Sequence, residues 1–284
     1  MTSREDEALA QAAVTALTAQ LSLTPKPGLP DPSHRDHNTL RWSAKSLTPG
    51  LAAMAAAARR TGEPTPGLRA ELGAIGRSTE HSVGLAGGGH RGALWTLGLL
   101  VAGAALNPGD VTATAKRIAA HPDKGAPRRP SRGSSMSAKY GAAGARGEAR
   151  AGFPHVRRAL EELTRSRGTG TPEPQSRLNA LLTIMSTLQD TELLYTAGPL
   201  GLRHVQAGAR GVLEAGGAGT VAGAEALAAL GTDLHERSWS PRGSAGLLAG
   251  ALFLDALPIA AVATGSRTAV SAQLRAAVLL HPPR

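Results

Sequence analysis

The chain contains no cysteine, which excludes disulfide bonds, thiolate metal sites and thiol redox chemistry. Aromatic residues are also scarce, at three Trp, two Tyr and two Phe among 284 residues, and there are only four Ile. β-branched and aromatic residues favour strands, whereas Ala and Leu favour helices. These scarcities therefore predict an all-α protein whose helices pack closely through small side chains.

Long apolar runs are absent as well. The longest candidate, residues 92–106, is shorter than the roughly 20 residues of a membrane span, so we expect it to be a buried helix. The first residues, Met1–Glu7, are mixed in charge and lack the apolar segment of a signal peptide. Together with the lack of cysteine, this leads us to expect a cytoplasmic protein with no membrane partner.

Apolar residues recur at helical spacing along most of the chain, and no comparable run alternates with period two. We predict a single all-α domain over residues 1–284, a bundle of about ten helices. The segments with helical spacing are 4–22, 49–60, 68–83, 94–104, 111–120, 156–163, 178–185, 202–212, 222–230, 247–257 and 270–280. Residues 122–137 are rich in Pro, Gly, Ser and Arg, which predicts a mobile basic loop.

The formal net charge is +10, and much of it lies between residues 121 and 150. This stretch contains only two acidic residues, Asp123 and Glu148, and seven cationic ones, which are Lys124, Arg128, Arg129, Arg132, Lys139, Arg146 and Arg150. Nucleic acid or a polyphosphate would explain this basicity. We favour a polyphosphate, because the segment lacks stacking aromatics and a helix-turn-helix or zinc signature. The spacing of His34, Asp36 and His37 does not favour zinc either.

Two glycine-rich segments carry charged side chains. In 144–154 the glycines allow close approach to a ligand, and Arg146 and Glu148 offer a phosphate partner and a metal or proton partner. In 87–92, His90 and Arg91 follow three glycines and open an apolar helix, so free N–H groups and two basic side chains can converge on an anion. A solvated loop and a flexible helix connection are the alternative interpretations.

In chain order these motifs resemble the triphosphoribosyl-dephospho-CoA synthases, which serve citrate lyase and malonate decarboxylase. The resemblance runs from Leu21 to Leu257. The segments that carry it are 24–31, 34–36, 87–92, 144–154, 189–191 and 240–245.

The resemblance implies a transferase in which the ribose hydroxyl of 3'-dephospho-CoA displaces adenine from ATP. The candidate catalytic carboxylates are Asp36, Glu148 and Asp190, with Mg²⁺ expected at Glu148 and Asp190. The candidate nucleotide- and phosphate-binding residues are Lys26, His34, His90, Arg91, Arg146, Ser240 and Ser244. The product would pass to an acyl-carrier-protein transferase. We prefer malonate decarboxylase as the client, because Gly152–Val156 resembles that branch.

The motifs also depart from the family pattern. Gly88 and Gly89 stand where the family has Asn and Thr, Glu192 replaces Asn, Arg242 replaces Gly, and Gly246 replaces Asp. Three hypotheses follow: an active transferase, a catalytically weakened homologue that binds a nucleotide or coenzyme, and a basic nucleic-acid-binding module.

Overall fold

The structure is a computed structural model that describes residues 1–30, 32, 36–85, 89–127 and 129–258. These residues form thirteen α-helices and no strand, which confirms the predicted all-α class. The helices are α1 (Arg4–Leu21), α2 (His37–Lys45), α3 (Thr48–Thr61), α4 (Pro66–Leu85), α5 (Arg91–Leu106), α6 (Val111–Ala120), α7 (Arg132–Tyr140), α8 (Gly144–Arg150), α9 (Pro154–Gly168), α10 (Glu173–Met185), α11 (Thr191–Glu214), α12 (Val221–Glu236) and α13 (Arg242–Ala256).

The first helix shows how local sequence signals lead into packing. Ser3 and Asp6 form a reciprocal capping box: the Ser3 hydroxyl accepts from the Asp6 backbone N–H, and the Asp6 carboxylate accepts from the Ser3 backbone N–H. The same carboxylate accepts a 2.7 Å hydrogen bond from Arg59 Nε of α3. Burial alone would raise the pKa of Asp6, but the hydrogen bonds from Ser3 and Arg59 and the charge of Arg59 outweigh it, so the pKa is lowered. The cap therefore also fixes α1 against α3.

The core is organised around α5, which is buried on nearly all sides and packs against α3, α6 and α13. Close approach between helices depends on small residues. A Cβ atom at Gly250 of α13 would lie 2.9 Å from Thr96 and 3.1 Å from Leu100, both on α5. The expected buried helix at 92–106 is thus confirmed, and no single helix of the described residues is long and apolar enough to cross a membrane.

Three helices were not predicted from periodicity. α2 and α7 are short and polar, and α7 buries only Met136. α8 has seven residues, two of them glycine. The predicted loop at 122–137 includes the first part of α7, which starts where the Ser131 hydroxyl accepts from the Ser134 backbone N–H at 3.2 Å. The helix predicted at 270–280 lies outside the described residues.

Candidate active site

The structure brings together segments that are far apart in the sequence, beginning with the N-termini of α5 and α13. A Cβ atom at Gly246 would lie 3.2 Å from the backbone nitrogen of Ala93. Because Ala93 is the third residue of α5 and Gly246 the fifth residue of α13, the N-terminal ends of the two helices lie side by side. The first N–H groups of α5 lack an intrahelical acceptor, and the positive dipole ends of both helices create a region that favours negative charge.

The N-terminal end of α8 meets the segment between α10 and α11. The backbone N–H of Ala143 donates to Oε1 of Gln189 at 3.2 Å, and a Cβ atom at Gly144 would lie 3.3 Å from Cγ2 of Thr191. The glycine-rich segment 144–154 is therefore in direct contact with 189–191.

The first motif segment, 24–31, lies next to the last one, 240–245. Gly28 has a φ of +66°, and its backbone lies so close to the Trp239 carbonyl and to Pro241 that a side chain at this position would clash with them. This places residues 24–29 beside 240–245. Apart from 34–36, of which only Asp36 is described, the described parts of the motif segments form one chain of contacts, in which Asp190 links 189–191 to 240–245.

Asp190 holds two of these segments together. It is 2% exposed and lies at the N-cap of α11, where Oδ1 accepts from the Glu192 backbone N–H at 3.0 Å. Oδ2 accepts from the backbone N–H of Ser244 at 3.0 Å and from its hydroxyl at 3.3 Å. Burial raises the pKa of Asp190 above 3.8, although these hydrogen bonds oppose the shift. One carboxylate therefore caps both α11 and α13, and Ser244, 1% exposed, is bound to it.

Glu148 is paired with a residue that the sequence analysis missed. Its Oε1 accepts from the backbone N–H of His155 at 2.8 Å, and its Oε2 lies 2.7 Å from His155 Nδ1. The contact arises because Phe153 adopts a left-handed conformation, with φ of 56°, and Pro154 then begins α9. With Nδ1 donating to the carboxylate, Nε2 of the neutral imidazole is the proton acceptor. The only available sequence signal was a His seven residues after a motif Glu.

A cavity of about 200 Å³ adjoins this pair. Its lining residues are Ala143, Gly144, Glu148, His155, Thr187, Leu188 and Gln189. Pockets for whole small-molecule ligands usually measure about 300–1,000 Å³. The cavity thus has room for a fragment such as a sugar ring beside the carboxylate–imidazole pair.

Two predicted phosphate binders are engaged with the protein itself. Lys26 is 6% exposed, and its Nζ donates to the carbonyls of Gln20 and Leu21 at the end of α1, at 2.9 and 2.8 Å. His90, 8% exposed, has Nε2 at 2.9 Å from both the Leu40 carbonyl and the Ser43 hydroxyl of α2. Burial lowers the pKa of His90, which favours the neutral ring. These contacts give both residues a structural role, and phosphate binding by them stays a prediction.

Three other predicted site residues, Arg91, Arg146 and Asp36, are exposed. Arg91 Nε is 3.3 Å from Glu80 Oε1. Asp36 lies at the N-terminus of α2. The Ser240 hydroxyl is buried and has no hydrogen-bond partner among the residues that the structure describes. His34 lies outside the described residues.

The carboxylates expected to hold Mg²⁺ do not fit a shared cation site as the side chains stand. Both oxygens of Glu148 and of Asp190 already accept hydrogen bonds from the protein. Within the described ranges, no three His, Asp or Glu side chains are grouped so that they could hold a metal ion. Mg²⁺ coordination by these two residues therefore has no geometric support.

Comparisons with known proteins agree with the residue pattern. The chain matches the family described as ATP:dephospho-CoA triphosphoribosyl transferase over residues 6–263. Three similar proteins bear the name "Probable 2-(5''-triphosphoribosyl)-3'-dephosphocoenzyme-A synthase". That of Pseudomonas fluorescens is 46% identical, over 88% of this chain and 91% of the relative. That of Stutzerimonas stutzeri is 45% identical, over 92% of this chain and 95% of the relative. That of Azotobacter vinelandii is also 45% identical, over 88% of this chain and 91% of the relative.

No solved structure matches the chain. The family match covers far more than half of the sequence, and the relatives align over nearly their whole length. The chain belongs to the ATP:dephospho-CoA triphosphoribosyl transferase family.

Proposed function

We propose that this protein transfers the triphosphoribosyl group of ATP to 3'-dephospho-CoA and releases adenine. The N-glycosidic bond between the ATP ribose C1 and adenine breaks, and a bond forms between that carbon and the 2'-hydroxyl oxygen of dephospho-CoA. The hydroxyl proton is balanced by protonation of the leaving adenine. The product is 2'-(5''-triphosphoribosyl)-3'-dephospho-CoA.

The observation that carries this proposal is the Glu148–His155 pair, which lies in a cavity lined by residues of the motif segments 144–154 and 189–191. Substitution at an N-glycosidic carbon passes through a state with oxocarbenium character, as in glycoside hydrolysis. A carboxylate near the sugar and a positioned proton acceptor both favour that state. The cavity lined by Glu148 and His155 supplies both groups in one place.

Glu148 and His155 are proposed to act as a unit. Glu148 holds the ring through Nδ1, so that Nε2 is available to take the proton from the attacking ribose hydroxyl. The negative charge of Glu148 also stabilises the imidazolium ion that results. We keep Asp36 as a second candidate carboxylate, which would either transfer a proton or stabilise the positive charge that develops on the sugar. Asp190 is assigned a structural role, in which it holds α11 and α13 in place.

The phosphate groups are proposed to lie along the exposed basic side chains and the adjacent helix N-termini. Arg91 begins α5, and Arg146 lies two residues before Glu148 on α8. The Ser240 hydroxyl beside the start of α13, which has no partner in the part of the chain that the structure describes, is a further donor for a substrate oxygen. The N-terminus of α5 adds N–H groups that lack an intrahelical acceptor, and the N-termini of α5 and α13 both add favourable dipoles.

Mg²⁺ is assigned no position on the protein, because Glu148 and Asp190 are already bound by protein donors. A cation carried by the ATP phosphates would neutralise charge without a dedicated protein site. Thermal unfolding with ATP, in the presence and absence of Mg²⁺, tests this. Equal stabilisation in both cases would remove Mg²⁺ from the proposal, whereas stabilisation lost in Glu148→Gln only when Mg²⁺ is present would restore Glu148 as a ligand.

The product is proposed to be the prosthetic-group precursor for an acyl carrier protein, to which a separate transferase attaches it. Malonate decarboxylase is the preferred client and citrate lyase the alternative. The segment Gly152–Val156, on which that preference rests, contains His155, so the residues that suggest the client also form part of the site.

Adenine release tests the proposal and separates it from its alternatives. The protein is incubated with ATP and 3'-dephospho-CoA, and adenine and the coupled product are measured by liquid chromatography with mass detection. A catalytically weakened homologue would bind both substrates and release no adenine. A nucleic-acid-binding module would bind neither substrate and would shift an oligonucleotide in a salt-dependent way.

A further inference from the structure

Four arginines from α4 and α8 lie near one another, since the charges of Arg77, Arg146 and Arg150 all act on Arg69. Arg146 and Arg150 are one helical turn apart on α8, and Arg69 and Arg77 lie two turns apart on α4, so each pair shares one face of its helix. We call these four residues the arginine cluster. Arg77 and Arg150 are tied to the α6–α7 region: Arg77 Nη1 contacts Asp123 Oδ2 at 2.6 Å, and Arg150 Nε donates to the Ala119 carbonyl at 3.3 Å.

Arg69 is the most buried member of the cluster. Its side chain is only 14% exposed and lies over the Trp95 ring, with 5.8 Å between the guanidinium carbon and the ring centroid. Its Nη1 is buried and has no hydrogen-bond partner within the described part of the chain. Asp123 Oδ2 is 3.7 Å away, beyond hydrogen-bonding distance.

Asp123 does not satisfy the cluster, because its carboxylate is already in use. Oδ2 binds Arg77, and Oδ1 accepts from the Gly125 backbone N–H at 3.0 Å. Burial lowers the pKa of Arg69, and the positive charges of Arg146, Arg77 and Arg150 lower it further against the opposing effect of Asp123. Asp123 is thus paired with Arg77 and, at 3.7 Å, with Arg69, and neither Arg146 nor Arg150 has an ion pair among the described residues. A buried donor on Arg69 is left over.

A partly buried cluster with excess positive charge is stabilised by an anion that brings several oxygen acceptors. Arg77 is partly exposed and Arg146 and Arg150 are exposed, so such an anion can reach the cluster from solvent. We propose that the arginine cluster is a binding site for a polyphosphate chain, supplied by the triphosphate of ATP or by the diphosphate of dephospho-CoA. The choice of these two sources rests on the proposed function, whereas the site itself does not.

Binding of inorganic triphosphate, measured by calorimetry, tests the site without any chemical step. Arg69→Gln removes the buried cation and should weaken triphosphate binding at least tenfold. Arg158→Gln makes the same charge change at an exposed position of α9, a helix packed against α10 and α13, and should leave the affinity unchanged. Failure of the unsubstituted protein to bind triphosphate, or an affinity within twofold for Arg69→Gln, would overturn the proposal.

Two further variants separate anion binding from a structural role. Asp123→Asn removes the negative charge that pairs with Arg77. Triphosphate should therefore bind at least threefold more tightly, even though the anion-free protein melts at a lower temperature. A merely structural Asp123 would weaken binding along with stability, and that result would count against the site. If Arg69→Gln does not fold, Arg150→Gln, which changes an exposed side chain, should still weaken binding about threefold, and an unchanged affinity would overturn the proposal.

The source of the polyphosphate follows from steady-state kinetics of adenine release. If the cluster holds the ATP triphosphate, Arg69→Gln raises KM for ATP about tenfold and leaves KM for dephospho-CoA unchanged; the reverse result assigns it to the coenzyme. Unchanged KM values for both substrates would overturn the link to catalysis. Absence of adenine release in the unsubstituted protein would refute the proposed function and leave the triphosphate measurement intact.

Discussion

Replacing Asp190 with Ala should destabilise the fold more than loss of an ordinary helix cap. The carboxylate caps α11 through the Glu192 N–H and α13 through the Ser244 N–H and hydroxyl. Loss of an N-cap side chain costs about 1 kcal/mol, within a range of roughly 0.5–2 kcal/mol. A buried N–H left without an acceptor, here that of Ser244, costs about 1–3 kcal/mol more.

One effect works in the opposite direction. Burial raises the pKa of Asp190, so part of the loss is offset when the buried charge is removed. We therefore expect a net loss of about 2–4 kcal/mol in the free energy of unfolding. At roughly 2–4 °C per kcal/mol for a domain of this size, the melting temperature should fall by about 4–16 °C.

Asp110→Ala is the matched control. Asp110 caps α6 from an exposed position through a single hydrogen bond to the Ala113 N–H, at 3.2 Å, so its removal should cost only about 1 kcal/mol. Urea unfolding followed by circular dichroism at 222 nm measures both variants. Equal losses, within about 0.5 kcal/mol, would refute the idea that one carboxylate holds two helices together.

Three other predictions concern the site. Glu148→Gln should lower the rate of adenine release more than tenfold, equivalent to about 1.4 kcal/mol of transition-state stabilisation, while the protein stays folded, because the neutral amide no longer favours an imidazolium at His155. A change below tenfold would give Glu148 a purely structural role. Glu161→Gln, at an exposed site of α9, is the control. Gly246→Asp should reduce stability by about 1–3 kcal/mol, since the new Cβ would crowd the Ala93 nitrogen. Gly89→Thr should not reduce stability, because, apart from its neighbours in the chain, no atom of the described residues lies within 4 Å of a Cβ at that position. Equal melting temperatures for the two variants would contradict this packing argument. Burial lowers the pKa of His90 from its usual value of 6.5. Neutral His90 therefore contributes stability above pH 6.5, and this stability is lost as the pH falls through the lowered pKa. The melting temperature of His90→Asn should fall less between pH 7.5 and 5 than that of the unsubstituted protein, and an equal fall would exclude the effect.

The sequence predicts those parts of the fold that local signals determine. Ser3 and Asp6 form the start of α1 as a capping box, and the apolar stripe of residues 92–106 becomes the buried helix α5. These features depend on residues a few positions apart, so helical spacing and cap chemistry are sufficient to identify them. The short polar helices α2 and α7 lack an apolar stripe, and spacing alone does not reveal them.

The site illustrates what a single sequence does not reveal. The motif residues could be identified, but the partner of Asp190 is Ser244, which lies 54 positions away. His155 reaches Glu148 only because Phe153 takes a left-handed conformation, which is uncommon for a residue with a bulky side chain and has no signature in composition. Lys26 and His90 were expected at phosphate groups, and their hydrogen bonds to α1 and α2 depend on packing between helices.

The most direct test of the proposed function is adenine release on mixing the protein with ATP and 3'-dephospho-CoA. The proposal predicts one adenine for each molecule of coupled product, formation of both only when both substrates are present, and loss of both in His155→Gln. Binding of both substrates without adenine release would contradict the transferase proposal and leave a protein that binds them without joining them.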